Sequence, residues 1–539
     1  MKKRLPLILA ATIGAVSLAG CSGGGGTGSE TTTASGGSGT TTAASQTASG
    51  DKILRIAGGF DFKSCAEARY LVFDSLLQSD MWGQITPNLA ESYDVSDDGL
   101  TYTFHLKKGV KYHDGTPFNA DTAKFSLEYY QKNNSPGEDI ESITAVDENT
   151  VEMKLKKYND LILYDIATPT NWGGVPMILE KDVDSEGKIT GYIGTGAFIF
   201  DDSTYESGVK ATMKKNPDYW GGAPKVDGVE WDVVSDPNAM VVALESDQVD
   251  AIGIAEHHSS VPYVQVSSLK SKGYNVETDE TGRYQVLEYN CTKAPFDDKN
   301  VRMAFNLAVD KELMVDTLFE GLTEAANVIT SPDFKYGPKK VDKDYYKYDK
   351  DKAEKLLDDA GWKDSDGDGV REKDGKKLEV KLIVPNGEAN ADAVAVYVQS
   401  ELAKIGATVD VQNLESSAAS DASKKGEYDM YVHHSGCMPG VPGGINPGGK
   451  YHSSSSWTYS FHSDELDKMI ESAFAESNED SRQQQVAAIW QYLHEEAPCM
   501  PLYSVKKLSG MNPRLSGYHV GQNMFDMSMI KDMDMDTSK

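Results

Sequence analysis

From about Asp51 onward, two spacings of apolar residues take turns along the chain. Tyr102, Phe104 and Leu106 alternate with Thr101, Thr103 and His105, the period of a strand with one buried face. A helix follows, capped by Asn119 or Asp121 and carrying Ala123, Leu127 and Tyr130. Val151, Met153 and Leu155 predict another strand, set off by the polar turn Asp147-Glu148-Asn149. In the second half the helices lengthen. Val301, Ala304, Phe305, Ala308 and Val309 recur at i, i+3, i+4, i+7 and i+8, and Ala353, Leu356, Leu357 and Ala360 repeat the stripe before Gly361. A helix from about Ala391 to Lys404 stops at Gly406, and Thr408 to Val411 reads as a strand. Val486, Ile489, Trp490 and Leu493 make a last helix that halts before Pro498. Repeated alternation of helix and strand predicts an α/β fold rather than a bundle or sandwich. No repeat at solenoid spacing interrupts it.

The first fifty residues follow neither period. Lys2, Lys3 and Arg4 precede an apolar run, Leu5 to Leu18, that is too short for a permanent span. The run ends in Leu18-Ala19-Gly20-Cys21, which resembles a bacterial lipobox. Residues 1–20 are thus expected to be a lipoprotein signal peptide, and Cys21 the acylated mature N-terminus. Residues 21–50 are almost wholly Gly, Ser, Thr and Ala, with no apolar surface to offset their ordering entropy. Such a linker spans about 30 Å and lets a body float clear of the membrane to which it is tethered. The expected location is the extracytoplasmic face of the cell membrane, at the cell surface or in the periplasm.

Charge narrows the function classes. A formal charge of -30 leaves no basic surface for nucleic acid. Beyond Cys21 the cysteines are Cys65, Cys291, Cys437 and Cys499, whose spacing matches no zinc pattern. Disulfides and buried thiols are both open readings of these four.

Four stretches carry more. The first runs from Pro87-Asn88-Leu89-Ala90-Glu91 through Asp97-Asp98-Gly99 and Leu106-Lys107-Lys108-Gly109-Val110 to His113-Asp114-Gly115-Thr116-Pro117-Phe118. The others are Gly194-Thr195-Gly196-Ala197-Phe198; Asn216-Pro217-Asp218-Tyr219-Trp220 with Val249-Asp250; and Val301-Arg302-Met303-Ala304 to Val309-Asp310. In this order and spacing they resemble the solute-binding proteins of peptide and nickel ABC importers, family 5. Ala197 in place of a proline and Asp247-Gln248 in place of a glycine-led turn are small departures. Each motif has a plain structural reading, and none implies catalysis.

The resemblance implies a two-lobed, type II periplasmic-binding-protein clamshell with an extra inserted subdomain. Lobe I would comprise 51–93, 195–285 and 505–539, with 94–194 inserted, and lobe II would comprise 286–504. A small solute, an oligopeptide or a nickel or other metal chelate, would bind between the lobes and pass to a permease and ATPase complex. The protein would be a monomer, with no cofactor of its own; a bound chelate would be cargo.

The solute is less legible. In peptide binders of the family an acid follows the strand resembling Tyr428 to Val432, yet here 433–452 contains neither Asp nor Glu. That stretch offers His433, His434, Cys437, Met438 and His452 instead, donors that suit nickel, copper or zinc. His452 and His433 are the candidate metal ligands. Trp172, Tyr284, His433, His434, Tyr451 and His452 are the candidate solute contacts. The arginines that would grip a chelator are missing from Ala167 to Met177. Asp364, Asp366, Asp368 and Gly369 begin like a calcium loop, but Gly375 stands at position twelve, so a polar turn is the better reading. An enzyme is disfavoured: His494-Glu495-Glu496 is followed by Pro498 where a second metal histidine would stand. A peptide-sensing receptor or chaperone on the same scaffold is the alternative.

Overall fold

The computed structural model describes residues 51–538, apart from 134, 160, 170–173, 255–259, 387, 389, 436–447, 456–458, 522, 524 and 525. Trp172 and Cys437 therefore lie outside the described residues, as do the lipobox and linker. Ten strands form one sheet. From one edge they are Thr408–Leu414, Glu379–Pro385, Met430–Ser435, Asn275–Tyr289, Cys499–Met511, Ala251–Ile252, Ile53–Gly58, Gly228–Val233, Lys210–Lys215 and Phe198–Phe200. The two long strands at the centre, Asn275–Tyr289 and Cys499–Met511, pair along nearly their whole length and belong to both lobes.

One core runs along both long strands, from Ala57, Met240 and Leu269 to Leu382, Val398 and Met430, and a second gathers around Trp231 and Phe198 on the Ile53–Gly58 side. A separate four-stranded sheet, ordered Ala90–Val95, Thr101–Leu106, Thr150–Leu155 and Ile140–Asp147, packs against the Ala120–Asn133 helix as the inserted subdomain. Its Thr101–Leu106 strand buries Tyr102, Phe104 and Leu106, as the alternation predicts. Asn119 caps the following helix, accepting from the Asp121 and Thr122 amides, so Asp121 is not the cap. Asp298, Asp310, Asp349, Ser463 and Asn478 cap helices in lobe II in the same way. One expectation shifts: the 301–309 stripe ends at Ala308, because Val309 is already extended and Asp310 opens the next helix.

The motifs prove to be joints. Asp74, buried in lobe I, accepts from Thr195 Oγ1 at 2.9 Å, Trp220 Nε1 at 2.8 Å and Tyr219 Oη at 3.1 Å. Burial raises its pKa, and the three donors pull it back. A Cβ on Gly194 would sit 1.9 Å from the Val72 carbonyl oxygen, and one on Gly196 would sit 2.6 Å from the Val72 carbonyl carbon. Only glycine admits that approach. Asp250 takes Arg55 Nε at 2.9 Å and Arg514 Nε at 3.0 Å, tying the first strand to the C-terminal segment. Arg302 donates to the Glu496 and Phe296 carbonyls, each at 2.8 Å, and anchors its helix to the lobe II core.

Candidate functional site

Both lobes aim their strand ends at each other. The Ala251–Ile252 strand runs parallel to Ile53–Gly58 and antiparallel to the second long strand, so its C-terminal end points toward lobe II. Met430–Ser435 and Glu379–Pro385 run parallel and end toward lobe I. Open α/β sheets place ligands outside such C-terminal ends. Between the lobes the long strands break register from Glu280 to Arg283. Gly282 adopts φ +68° there, and a Cβ on it would meet Phe334 Cζ at 2.8 Å. This bulge is the bendable point of the frame. Away from it several contacts join the lobes: Ser267 donates its hydroxyl to the Glu320 carboxylate at 2.8 Å, and the Tyr263 and Phe319 rings lie 4.8 Å apart. The Lys335 amide donates to the Trp82 carbonyl at 2.8 Å, and the Arg482 guanidinium lies 4.7 Å from the Tyr158 ring while also donating to its hydroxyl.

Two groups of charged side chains stand out here. One surrounds a cavity lined by Tyr263 from lobe I, Arg283 and Lys506 from the long strands, and Glu388, Asn390 and His434 from lobe II. His434 Nε2 stands 3.5 Å from the Glu388 carboxylate. Burial raises the Glu388 pKa, with the nearby Arg283 pulling it down. The other is a buried cluster in lobe I. Lys507 is 3% exposed and donates to the Ile254 carbonyl at 3.3 Å. Burial lowers its pKa, and Asp279, Glu67 and Asp526 all act against that fall. Those three carboxylates are themselves buried. Glu67 also accepts from Cys65 Sγ at 3.3 Å, and Asp279 also accepts from the Tyr518 hydroxyl. Tyr70, buried beside Asp526 and Thr168, stands next to this cluster.

Comparison with known proteins bears directly on this frame. The family described as bacterial extracellular solute-binding proteins, family 5, matches residues 84–447. The oligopeptide-binding protein AppA of Bacillus subtilis is 30% identical over 468 residues, covering 83% of each chain. The chain belongs to this family. The nickel-binding periplasmic protein of Escherichia coli K12 is 25% identical over 469 residues, 83% of this chain and 86% of that one. Among solved structures, NikA from Brucella suis in complex with Fe(III)-EDTA superposes with a TM-score of 0.82 at 24% identity, covering 90% of this chain and 100% of the other. AppA from B. subtilis in complex with a nonapeptide gives 0.71 at 26% identity, covering 90% and 99%. The clamshell with its inserted subdomain is therefore the fold, and solute binding for an ABC transporter is the function. No helix among the described residues is long and apolar enough to cross a membrane.

Within this family 5 frame the expected solute contacts scatter. His434 lines the junction cavity. His433 lies on the opposite face of its strand, paired with Val286, and burial lowers its pKa strongly. Tyr284 stands between Ser435 and Ser504, its hydroxyl pushed up to about 12 by burial. Tyr451 is not a lining residue here: it is 2% exposed and packs its hydroxyl against the Cys499 sulfur at 3.9 Å. His452 binds Ser454 at 2.7 Å and faces Glu471 at 3.4 Å. Cys65, Cys291 and Cys499 are free thiols. Among the described residues the only cluster of three metal-type ligands is Asp364, Asp366 and Glu372. There the Asp364 carboxylate accepts from the Gly367 and Gly369 amides, and Lys377 pairs with Asp368, as a self-closed polar turn requires. Glu67, Asp279, Asp526 and Lys507 escaped the sequence reading. Lys506-Lys507 inside an otherwise apolar run from Pro501 to Leu508 was the available signal.

Proposed function

We propose that the solute is an oligopeptide whose free ammonium is received by the buried carboxylate cluster of lobe I. The observation that carries this reading is the gathering of three buried carboxylates, Glu67, Asp279 and Asp526, from separate segments of lobe I about Lys507. A cationic group arriving there would meet carboxylates able to form charge-assisted hydrogen bonds in a low-dielectric setting. The acid that the family resemblance expects after residue 432 would thus be supplied from the opposite lobe. AppA, the 30%-identical relative, is an oligopeptide-binding protein. The protein would be held to the extracytoplasmic face through lipid on Cys21, act as a monomer, hand its solute to a permease and ATPase complex, and make or break no bond itself. A metal chelate held by His433 and His452 is the second reading, favoured by the likeness to NikA. Those two histidines engage different neighbours, Val286 across the strand for one and Glu471 for the other.

Native mass spectrometry on protein purified without chelators tests this. The expected result is a set of peptide masses released on denaturation. In Asp526→Asn that set is depleted, and titration calorimetry shows peptide affinity down by about tenfold. Stoichiometric nickel or chelate in place of peptide would overturn the peptide reading.

A further inference from the structure

The register break at Thr281 and Gly282 leaves the first long strand without continuous backbone pairing where the lobes must bend. Side chains bridge the gap instead. Thr281 donates its hydroxyl to the Val505 carbonyl and accepts from the Arg283 amide at 3.2 Å. Next to it is Lys506, 5% exposed, directly opposite Glu280. Its ammonium pairs with Glu280 on one side and with Glu324 at 2.8 Å on the other. Its own amide donates to the Tyr263 hydroxyl at 3.2 Å.

These partners belong to different bodies. Glu280 closes the lobe I stretch of its strand, whereas Tyr263 opens a helix that packs across the junction, its ring 4.8 Å from that of Phe319. Glu324 sits on a short segment fastened to lobe II. The Ser504 amide donates to the Glu324 carbonyl at 2.9 Å, Thr323 donates to the Ser504 carbonyl, and the Ala326 amide donates to the Leu502 carbonyl at 3.0 Å. A buried cation is costly unless its partners are in place. Lys506 has both partners only when the bulge holds the angle seen here, since bending at Gly282 moves Glu280 relative to Glu324.

We infer that Lys506 is a positioning residue that sets the hinge angle, drawing the lobe I carboxylate Glu280 and the lobe II carboxylate Glu324 onto one ammonium. It acts on the equilibrium between lobe arrangements rather than on the solute. Loss of the ammonium lowers the population of the compact arrangement and weakens every solute by one common factor. This inference rests on two-lobed solute binding and not on the peptide reading.

Small-angle scattering on the solute-free protein tests it directly. In the wild type, raising NaCl from about 20 mM to about 1 M screens the triad and expands the radius of gyration. Lys506→Met is expanded at both salt concentrations, its compact population lower by about fivefold, the scale of a partly exposed ion pair. Lys506→Arg restores both the compact radius and its response to salt. Glu324→Gln, at a carboxylate that is 75% exposed, shows a smaller change of the same sign and keeps the test available if Lys506→Met does not fold. A wild-type salt response in Lys506→Met or in Glu324→Gln would overturn the inference. So would expansion that merely tracks a lower melting temperature.

Discussion

Asp74 and Lys506 are both buried charges, but they are satisfied in opposite ways. Around Asp74 every donor is neutral, and the donors come from the Gly194–Phe198 and Asn216–Trp220 motifs, so the node locks pieces of one lobe together. Around Lys506 the partners are charged, partly exposed and divided between lobes. The first arrangement has one geometry and tolerates no movement. The second trades stability for a contact that can be made and lost. The family's sequence signature therefore marks the rigid region, and the moving, solute-facing region carries little of it.

Breaking the rigid side should cost most. Asp74→Ala leaves the Thr195, Tyr219 and Trp220 donors buried without an acceptor, and unfolding experiments should show a loss of about 3–5 kcal/mol. A loss under 1 kcal/mol would remove the contrast between the two regions.

Acid gives the next effect. His494 is fully buried, accepts from the Ile329 amide at 3.0 Å through Nε2 and faces the Trp490 carbonyl at 2.6 Å through Nδ1. Burial lowers its pKa from 6.5 to about 4. The folded state thus binds the proton less readily than the unfolded chain. The stability tied to neutral His494 is complete above about pH 6.5 and is lost as pH falls toward 4, by about 3 kcal/mol in all. Urea unfolding at pH 7 and pH 4.5 should reveal that loss, and His494→Gln should flatten the acid limb.

The smallest effect belongs to the Tyr158–Arg482 contact between the lobes. Tyr158→Ala removes the ring on which Arg482 rests and should weaken solute binding by about three- to tenfold. Its melting temperature should stay within a few degrees of the wild type. A stability loss as large as that of Asp74→Ala would place Tyr158 with the rigid region instead.

Local pattern foretold the elements because each is a local matter. Tyr102, Phe104 and Leu106 share a face by alternation, and Asn119 or Asp310 caps a helix using amides two or three residues away. Misjudgements arose where partners are distant. Tyr451 was expected to line the solute cavity, yet it spends its hydroxyl on Cys499, forty-eight positions on. His433 and His434 were both expected among the solute contacts, whereas strand geometry sends them to opposite faces.

By itself the sequence determined the α/β alternation, the caps and the family, since all three depend on residue spacing along the chain. It also exposed the absence of an acid from 433 to 452. Only the tertiary structure decided where charge collects: Glu67, Asp279, Lys507 and Asp526 come from four separate segments, and no spacing announces their meeting. Coulomb attraction and desolvation act through space, and the folded sheet alone sets those distances.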